Sequence, residues 1–146
     1  MYKKILILML TVMLVVLAGC TPSPKEIKGA ERDTVLAYSE PMADNELAAL
    51  NANDYEAFVK DYDETMLNLT TPEKFADLES LISTKLGKYL SREVTTVTAV
   101  GDAGILVIYT AKFEKEEEVL IKISFQPDGD HLIIGLWFDS PKLREQ

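Results

Sequence analysis

The hydrophobic periodicity of this chain changes once, near Gly87, and this change constrains the fold more than any other feature of the sequence. From about Glu31 to Gly87, apolar residues recur every three or four positions, which is the spacing of amphipathic helices. From Lys88 to Asp139, apolar and polar residues alternate, which is the spacing of half-buried strands. Because the helices precede the strands and do not alternate with them, the pattern predicts an α+β fold rather than a doubly wound parallel sheet.

Three helices are predicted in the first part of the chain. The first runs to about Ala52, with a break or kink expected near Glu40, because Pro41 lacks the N–H that a helix interior uses. The second is predicted over residues 54–69 and the third over residues 72–86, where Thr71 supplies a capping hydroxyl and proline occupies the first helical position.

Four strands are predicted after the helices. They lie over residues 92–100, 105–113, 119–125 and 132–138, with turns at 101–104, 115–117 and 127–130. We therefore expect one α+β domain over residues 31–140, in which three helices pack on a curved antiparallel sheet of about four strands. Residues 141–146 are expected to form a tail.

The amino terminus has the organisation of a bacterial lipoprotein leader. Lys3 and Lys4 precede an apolar run over residues 5–18, which is too short for a comfortable membrane span of about 20 residues. The run ends in Leu17-Ala18-Gly19-Cys20, which matches a lipobox, in which small residues admit the signal peptidase and the cysteine thiol carries a diacylglycerol. We expect a signal peptide over residues 1–19 and acylation of Cys20. The alternative is an uncleaved apolar helix with an unmodified thiol.

Acylation of Cys20, with palmitate among the expected chains, would hold the protein on the extracytoplasmic face of the cell membrane. Each acyl methylene buried in a bilayer contributes about 0.8 kcal/mol, so two chains give firm anchoring. Residues 20–30 are expected to form a lipidated, flexible tether, since they are rich in proline and charge. The formal net charge of −9 opposes binding to nucleic acid. Cys20 is the only cysteine, which excludes disulfide bonds within the chain.

A family pattern is found in several segments of the soluble part: Pro41-Met42-Ala43-Asp44-Asn45, residues 50–58, Asp61-Tyr62-Asp63-Glu64-Thr65-Met66, Phe75, and Leu86-Gly87-Lys88-Tyr89. These segments resemble domain of unknown function family 3887, and the resemblance extends from about Leu36 to Phe138. It implies a nuclear transport factor 2-like, cystatin-type cone of helices on a curved sheet. The family brings no known catalytic residue, so none is carried over to this chain.

Candidate catalytic groups are few. His131 is the only histidine, and beside the predicted turn it is most simply an exposed residue at the start of a strand, with a lone proton carrier as the alternative. Asp61, Asp63 and Glu64 lie on or beside one predicted helix face, where paired carboxylates either run acid–base chemistry or form a solvated surface. No catalytic residue is assigned.

No metal or other cofactor is expected. Acidic residues surround Lys115 in the run from Glu114 to Glu118, and four carboxylates can gather a hard cation, but a charged hairpin tip explains them equally. The turn from Asp128 to Asp130 lacks the ligand spacing of a calcium loop.

Five aromatic residues are the candidates for ligand binding. Tyr62, Tyr89, Tyr109, Phe113 and Trp137 are predicted to lie on or above the concave face of the sheet, where they would line a small pocket. The alternative is that they fill the core.

These features predict a membrane-anchored, noncatalytic binding or interaction module, whose partner is a small apolar ligand or an envelope protein. The alternative is a small enzyme of isomerase or hydrolase type with an acid–base residue in the cone, although the predicted strands place no acidic residue inward. An empty cone would favour a ligand or an enzyme. A filled cone with an exposed apolar patch would favour an interaction module.

Overall fold

An antiparallel sheet with the strand order β1-β2-β3-β4-β5 forms the base of the fold. The computed structural model describes residues 23–145, and in this range five helices accompany the sheet. The strands are β1 (Lys25–Glu26), β2 (Tyr89–Ala99), β3 (Ile105–Phe113), β4 (Glu116–Phe125) and β5 (Ile133–Asp139). The helices are α1 (Gly29–Ala52), α2 (Tyr55–Phe58), α3 (Glu64–Leu69), α4 (Pro72–Lys85) and α5 (Pro141–Arg144). The predicted α+β class and antiparallel sheet are confirmed, with five strands in place of about four and five helices in place of three.

The core lies between the helices and one face of the sheet. Tyr109 pairs in register with Ile121, and Val107 pairs with Ile123, so these four fully buried side chains lie side by side under the helices. Register shifts occur in the β2–β3, β3–β4 and β4–β5 pairs. Such irregularities bend a sheet and increase its twist. The core residues contributed by the helices are Val35, Ala43, Leu47, Ala49, Leu50, Phe58, Phe75 and Ile82.

Helix α1 is continuous through Pro41, so the predicted break is wrong. The N–H that proline lacks would have bonded to the carbonyl of Ala37, four residues earlier. Both residues are exposed, so water can hydrate that carbonyl and the helix loses one hydrogen bond without burying an unpaired group. The helix ends at Asn53, whose φ of 54° is left-handed.

The helix predicted over residues 54–69 is divided into α2 and α3, so the prediction is wrong for residues 59–63, which belong to neither helix. Between the two helices, the N–H of Ile133 donates to the Asp61 carbonyl at 2.8 Å, and the N–H of Asp63 donates to the Ile133 carbonyl at 3.0 Å. These bonds to β5 occupy backbone groups that a continuous helix would need. Asp63 then begins α3, because its side chain accepts a hydrogen bond from the Met66 N–H at 2.8 Å.

Local signals correctly predicted α4, the third predicted helix, and β3, the second predicted strand. Helix α4 begins after Thr71, whose hydroxyl accepts from the Lys74 N–H, and it ends before Gly87, whose φ is 77°. Strand β3 has the predicted bounds, and β2, β4 and β5 overlap the predicted strands with shifted ends.

The structure changes both ends of the predicted domain. Lys25 and Glu26 pair with Ala99 and Thr98 of β2, and Ile27, only 3% exposed, belongs to the core. The predicted flexible tether is therefore wrong from residue 25 onward, and the predicted tail contains α5. The predicted signal peptide, Cys20 and the first part of the tether lie outside the described residues.

Candidate functional site

An apolar groove of about 350 Å³ lies beside β5, and we call it the β5 groove. Its lining residues are Leu78, Leu81, Ile82, Leu136, Trp137, Phe138, Asp139, Leu143 and Arg144. Trp137 is 64% exposed and Leu81 is 45% exposed, and both belong to this one groove. The groove therefore presents apolar surface to solvent.

Two helices form the walls of the β5 groove. In α4, Leu78 and Ile82 are four residues apart and lie on one face, and Leu81 stands at its exposed margin. On the other side, α5 is fixed by Ser140, which is 1% exposed and accepts a hydrogen bond from the Leu143 N–H at 3.3 Å. Arg144 adds two hydrogen bonds to the Asp139 carboxylate, at 2.8 and 3.3 Å. The walls are thus built by ordinary capping and pairing interactions.

A buried carboxyl group lies elsewhere, between α1 and the segment before α3. Glu46 is fully buried, and the Tyr62 hydroxyl donates a hydrogen bond to its Oε1 at 2.6 Å. Its Oε2 has no hydrogen-bond partner among the described residues. The pKa of Glu46 is raised to about 8, mainly because burial disfavours the charged form; the hydrogen bond from Tyr62 opposes this rise and the negative charge of Asp61 adds to it. Glu46 is therefore mostly protonated at neutral pH.

A second polar cluster joins α1 to the sheet. The guanidinium of Arg92 donates to Glu40 Oε1 at 2.6 Å and to Asp44 Oδ1 at 2.7 Å, and it lies 4.5 Å from the centre of the Tyr109 ring. The Arg92 side chain is only 4% exposed. The Tyr109 hydroxyl, the Ser39 hydroxyl and the Arg92 Nε are buried and have no hydrogen-bond partner among the described residues. This cluster attaches α1 to β2 and β3.

The five predicted pocket residues are not gathered around one cavity. Tyr62, Tyr109 and Phe113 are buried in the core, at 3%, 0% and 1% exposure. Tyr89 is half-buried and packs edge-on against Phe113, with 5.8 Å between ring centres. Trp137 lies in the β5 groove.

His131 does not lie at the start of a strand. It precedes β5 with a left-handed backbone, φ 53°, and its ring is stacked on Tyr38 with 4.1 Å between ring centres. Its Nδ1 lies 3.2 Å from the Gln126 carbonyl oxygen. The predicted exposed residue is thus half-buried, and its ring contributes packing against α1.

The other acidic candidates have structural contacts. Glu114 accepts a hydrogen bond from the Lys88 N–H at 2.9 Å, and Glu117 pairs with Lys112 at 2.7 Å. Asp61 lies 3.4 Å from the Asn45 amide, and Asp63 caps α3. Within residues 23–145, no three His, Cys, Asp or Glu side chains are close enough together to hold a metal ion.

The sequence reasoning missed Glu46 and the groove walls. Glu46 lies three residues after Ala43 and four before Leu50, on the apolar stripe of α1, so helical spacing could have identified it. The groove had no such signal, since its lining comes from α4, β5 and α5.

Residues 43–136 match a family model described as Protein of unknown function (DUF3887). No curated protein and no solved structure matches the chain. Among the described residues, none of the helices has the length and apolar character of a membrane span.

Proposed function

The chain belongs to the family Protein of unknown function (DUF3887), and we propose that it is an acylated lipoprotein on the extracytoplasmic face of the cell membrane that acts as an interaction module. The proposed contact surface is the β5 groove. The single observation that carries the interaction role is the combination of a filled core with exposed apolar side chains: Tyr109 and Phe113 are buried within the core, while Trp137 and Leu81 face solvent.

We further propose that the domain is a nuclear transport factor 2-like cone. The order of elements supports this relationship, since the longest helices, α1 and α4, precede β2 to β5. The helices also cover one face of a sheet that register shifts bend.

In the proposed lipoprotein, the acylated residue precedes one edge of the sheet and the β5 groove lies at the other. Lys25, the first residue of β1, is five positions after Cys20 in the sequence, whereas the groove lies along β5, the last strand in the sheet order. Four inter-strand spacings of about 4.8 Å separate these edges by roughly 19 Å. This arrangement suits a module that is held at one edge and binds its partner at the other.

The lipoprotein address is tested by metabolic labelling with an alkyne fatty acid. The wild-type protein is expected to carry the label and to sediment with membranes, and Cys20→Ala is expected to lose both. Thr21→Ala, which leaves the cysteine in place, is the matched control and should behave as the wild type. Label and membrane retention in Cys20→Ala would exclude acylation at this position.

The interaction role is tested by placing a photo-crosslinking amino acid at position 81, inside the β5 groove. Crosslinking in intact cells is expected to give one or a few defined adducts with envelope proteins. The same amino acid at position 90 is the control, since Leu90 is 53% exposed and lies outside the groove. Adducts of equal yield and size from both positions would contradict a role for the groove.

An enzyme remains the second candidate, because Glu46 and Tyr62 form a buried acid–phenol pair with a raised carboxyl pKa. Such pairs occur in active sites that use a neutral carboxylic acid as a proton donor. Glu46 is fully buried, so a substrate would require the segment around Tyr62 to open. Native mass spectrometry of the detergent-solubilised protein distinguishes the two functions: a retained small molecule that is lost in Glu46→Gln would favour the enzyme, and an apo mass in both proteins would favour the interaction module.

A further inference from the structure

The outer edge of β5 is only partly used by the fold. Ile133, at the start of the strand, exchanges backbone hydrogen bonds with Asp61 and Asp63. Beyond Ile133, residues 135–139 pair with β4 on the inner side, and within residues 23–145 the backbone of residues 134–139 makes no hydrogen bond to another segment on the outer side. An unpaired strand edge offers a row of donors and acceptors to another chain.

The β5 groove lies along this same edge. Leu136 and Phe138 lie on the helix-covered side of β5, because their register partners, Ile123 and Ile121, are core residues. With Leu78 and Leu143 on the walls, they form apolar positions beside the unpaired backbone. A strand edge next to apolar pockets is the arrangement that binds extended peptides, where backbone hydrogen bonds give affinity and alternate side chains give specificity.

We propose that the β5 groove binds an extended segment of a partner polypeptide, which adds to the sheet as a sixth strand beside β5. The inference rests on the proposed interaction role and names the chemistry of the partner. The segment carries apolar side chains at alternate positions, because every second residue of an added strand faces the groove.

The unpaired backbone distinguishes this partner from a lipid. An acyl chain fills an apolar groove but supplies no donor or acceptor for the edge of β5. In the proposed lipoprotein, the acylated Cys20 also precedes β1 in the chain, and β1 is at the edge of the sheet opposite β5. A peptide backbone satisfies both the apolar and the polar parts of the surface.

Two lysines lie beside the end of the groove at α5. Lys142 belongs to α5, and the Nζ atom of Lys85 donates to the Lys142 carbonyl, while that of Lys142 donates to the Lys115 carbonyl. Arg144, in contrast, is paired with Asp139. None of the ion pairs recorded between residues 23 and 145 involves either lysine. In a chain of net charge −9, this concentration of cations favours a partner segment with an acidic residue at the end that lies beside α5.

The experiment uses the full-length acylated protein in phosphatidylcholine nanodiscs and a displayed library of random 12-residue peptides. Peptides are selected on the wild type, with counter-selection on Leu81→Asp, and Leu90→Asp is the folded control with an equally new surface charge. Trp137 is the only tryptophan, and its register partner Lys122 places it on the face of β5 opposite Leu136 and Phe138. A strand added beside β5 would cover part of this exposed side chain, so its emission should shift to shorter wavelength on binding. We expect enriched sequences with alternating apolar residues and an acidic residue near one end.

The backbone requirement is then tested on the strongest peptide. One variant is N-methylated at three alternate amides and a second at the three intervening amides, so that each loses the donors of one strand edge. Because an added strand uses one edge, one variant is expected to bind at least about tenfold more weakly and the other to bind within about threefold of the parent.

Each outcome decides between the proposals. Equal binding of both methylated variants would overturn strand addition and leave the interaction role intact. If no selected peptide binds the wild type more tightly than Leu81→Asp, the proposal of a peptide partner is wrong. The interaction role would then be tested by the crosslinking at position 81 alone. If the protein forms a dimer in the absence of nanodiscs and Leu81→Asp dissociates this dimer, the partner is a second copy of this chain and not another polypeptide.

Discussion

At the residue scale, Glu46 links stability to pH. Burial raises the pKa of its carboxyl group to about 8, whereas a solvated glutamate in the unfolded chain titrates near its ordinary value of about 4.3. The folded state therefore keeps the proton over a range in which the unfolded state has released it. The contribution of Glu46 to stability is fully present below the unfolded pKa and is lost as pH rises toward the folded pKa.

We therefore expect the free energy of unfolding to fall between pH 5 and pH 8 and this slope to flatten in Glu46→Gln, which cannot ionise. Urea unfolding at several pH values in this range measures the effect. The matched control is Glu56→Gln, because Glu56 is exposed on α2. This variant should show the same dependence of the free energy of unfolding on pH as the wild type. A slope unchanged in Glu46→Gln would show that the folded carboxyl group titrates normally.

Arg92 is the second residue with a large expected effect. Its guanidinium is nearly buried and holds Glu40 and Asp44 from α1 at 2.6 and 2.7 Å. We expect Arg92→Met to lower the free energy of unfolding by about 2 kcal/mol, less than for a fully buried pair, because both acidic partners remain partly hydrated. Denaturant unfolding of Arg144→Met provides the comparison: this arginine is 67% exposed, and its replacement should cost about 0.5 kcal/mol or less. Equal losses would argue against a structural role for Arg92.

At the element scale, Pro41 tests how a helix tolerates a missing hydrogen bond. Since α1 continues through this exposed residue, Pro41→Ala adds an N–H that can donate to the Ala37 carbonyl without a change in fold. We expect a gain of about 1 kcal/mol in the free energy of unfolding, measured by urea titration. Pro72→Ala, at the first turn of α4, is the control and should give no gain, because no intrahelical acceptor awaits its N–H. A loss of stability in Pro41→Ala would indicate that the proline is preferred where it stands.

The elements also show how far the sequence predicts this fold. Helix α4 and strand β3 were predictable because their signals are local, a capping threonine in one and strict alternation in the other. The division of the predicted second helix was not predictable, since it depends on pairing of the segment around Tyr62 with Ile133, far along the chain. Strand β1 was missed for a related reason: two residues show no periodicity, and only the neighbouring β2 makes them a strand.

At the scale of the whole molecule, the sequence alone predicts an anchor at Cys20 but gives no indication of the β5 groove. The leader and Cys20 are contiguous, so their order alone carries the prediction. The β5 groove depends on the packing of α4 and α5 against β5, and only one of its residues, Trp137, was among the predicted pocket residues. Glu46 was partly predictable. Helical spacing predicts that its side chain is buried, but nothing in the sequence indicates that Tyr62 is its hydrogen-bond partner.

The proposed anchor at Cys20, which precedes β1 in the sequence, gives a prediction for Trp137 on β5. In nanodiscs that contain brominated lipids, which quench tryptophan at short range, the fluorescence of the wild-type protein should fall by less than about a tenth, since roughly 19 Å of sheet separates β1 from β5. The control is a variant with Trp137→Phe and Lys28→Trp, which moves the fluorophore next to β1 and should be quenched strongly. Strong quenching of Trp137 itself would place the groove against the bilayer.

The pairing of β1 has a mechanical consequence for an anchored chain. A pull between the membrane and a partner on β5 enters the sheet through Lys25 and Glu26, which are held by two cross-strand pairs and by the packing of Ile27. Because this attachment is short, it should yield before the longer pairs between β2 and β5. Release of residues 23–28 would lengthen the tether between the proposed anchor and the domain by up to about 20 Å, at roughly 3.3 Å per residue, while the remaining four strands stay paired. Under load, β1 would then act as a small extensible link that keeps the contact surface folded.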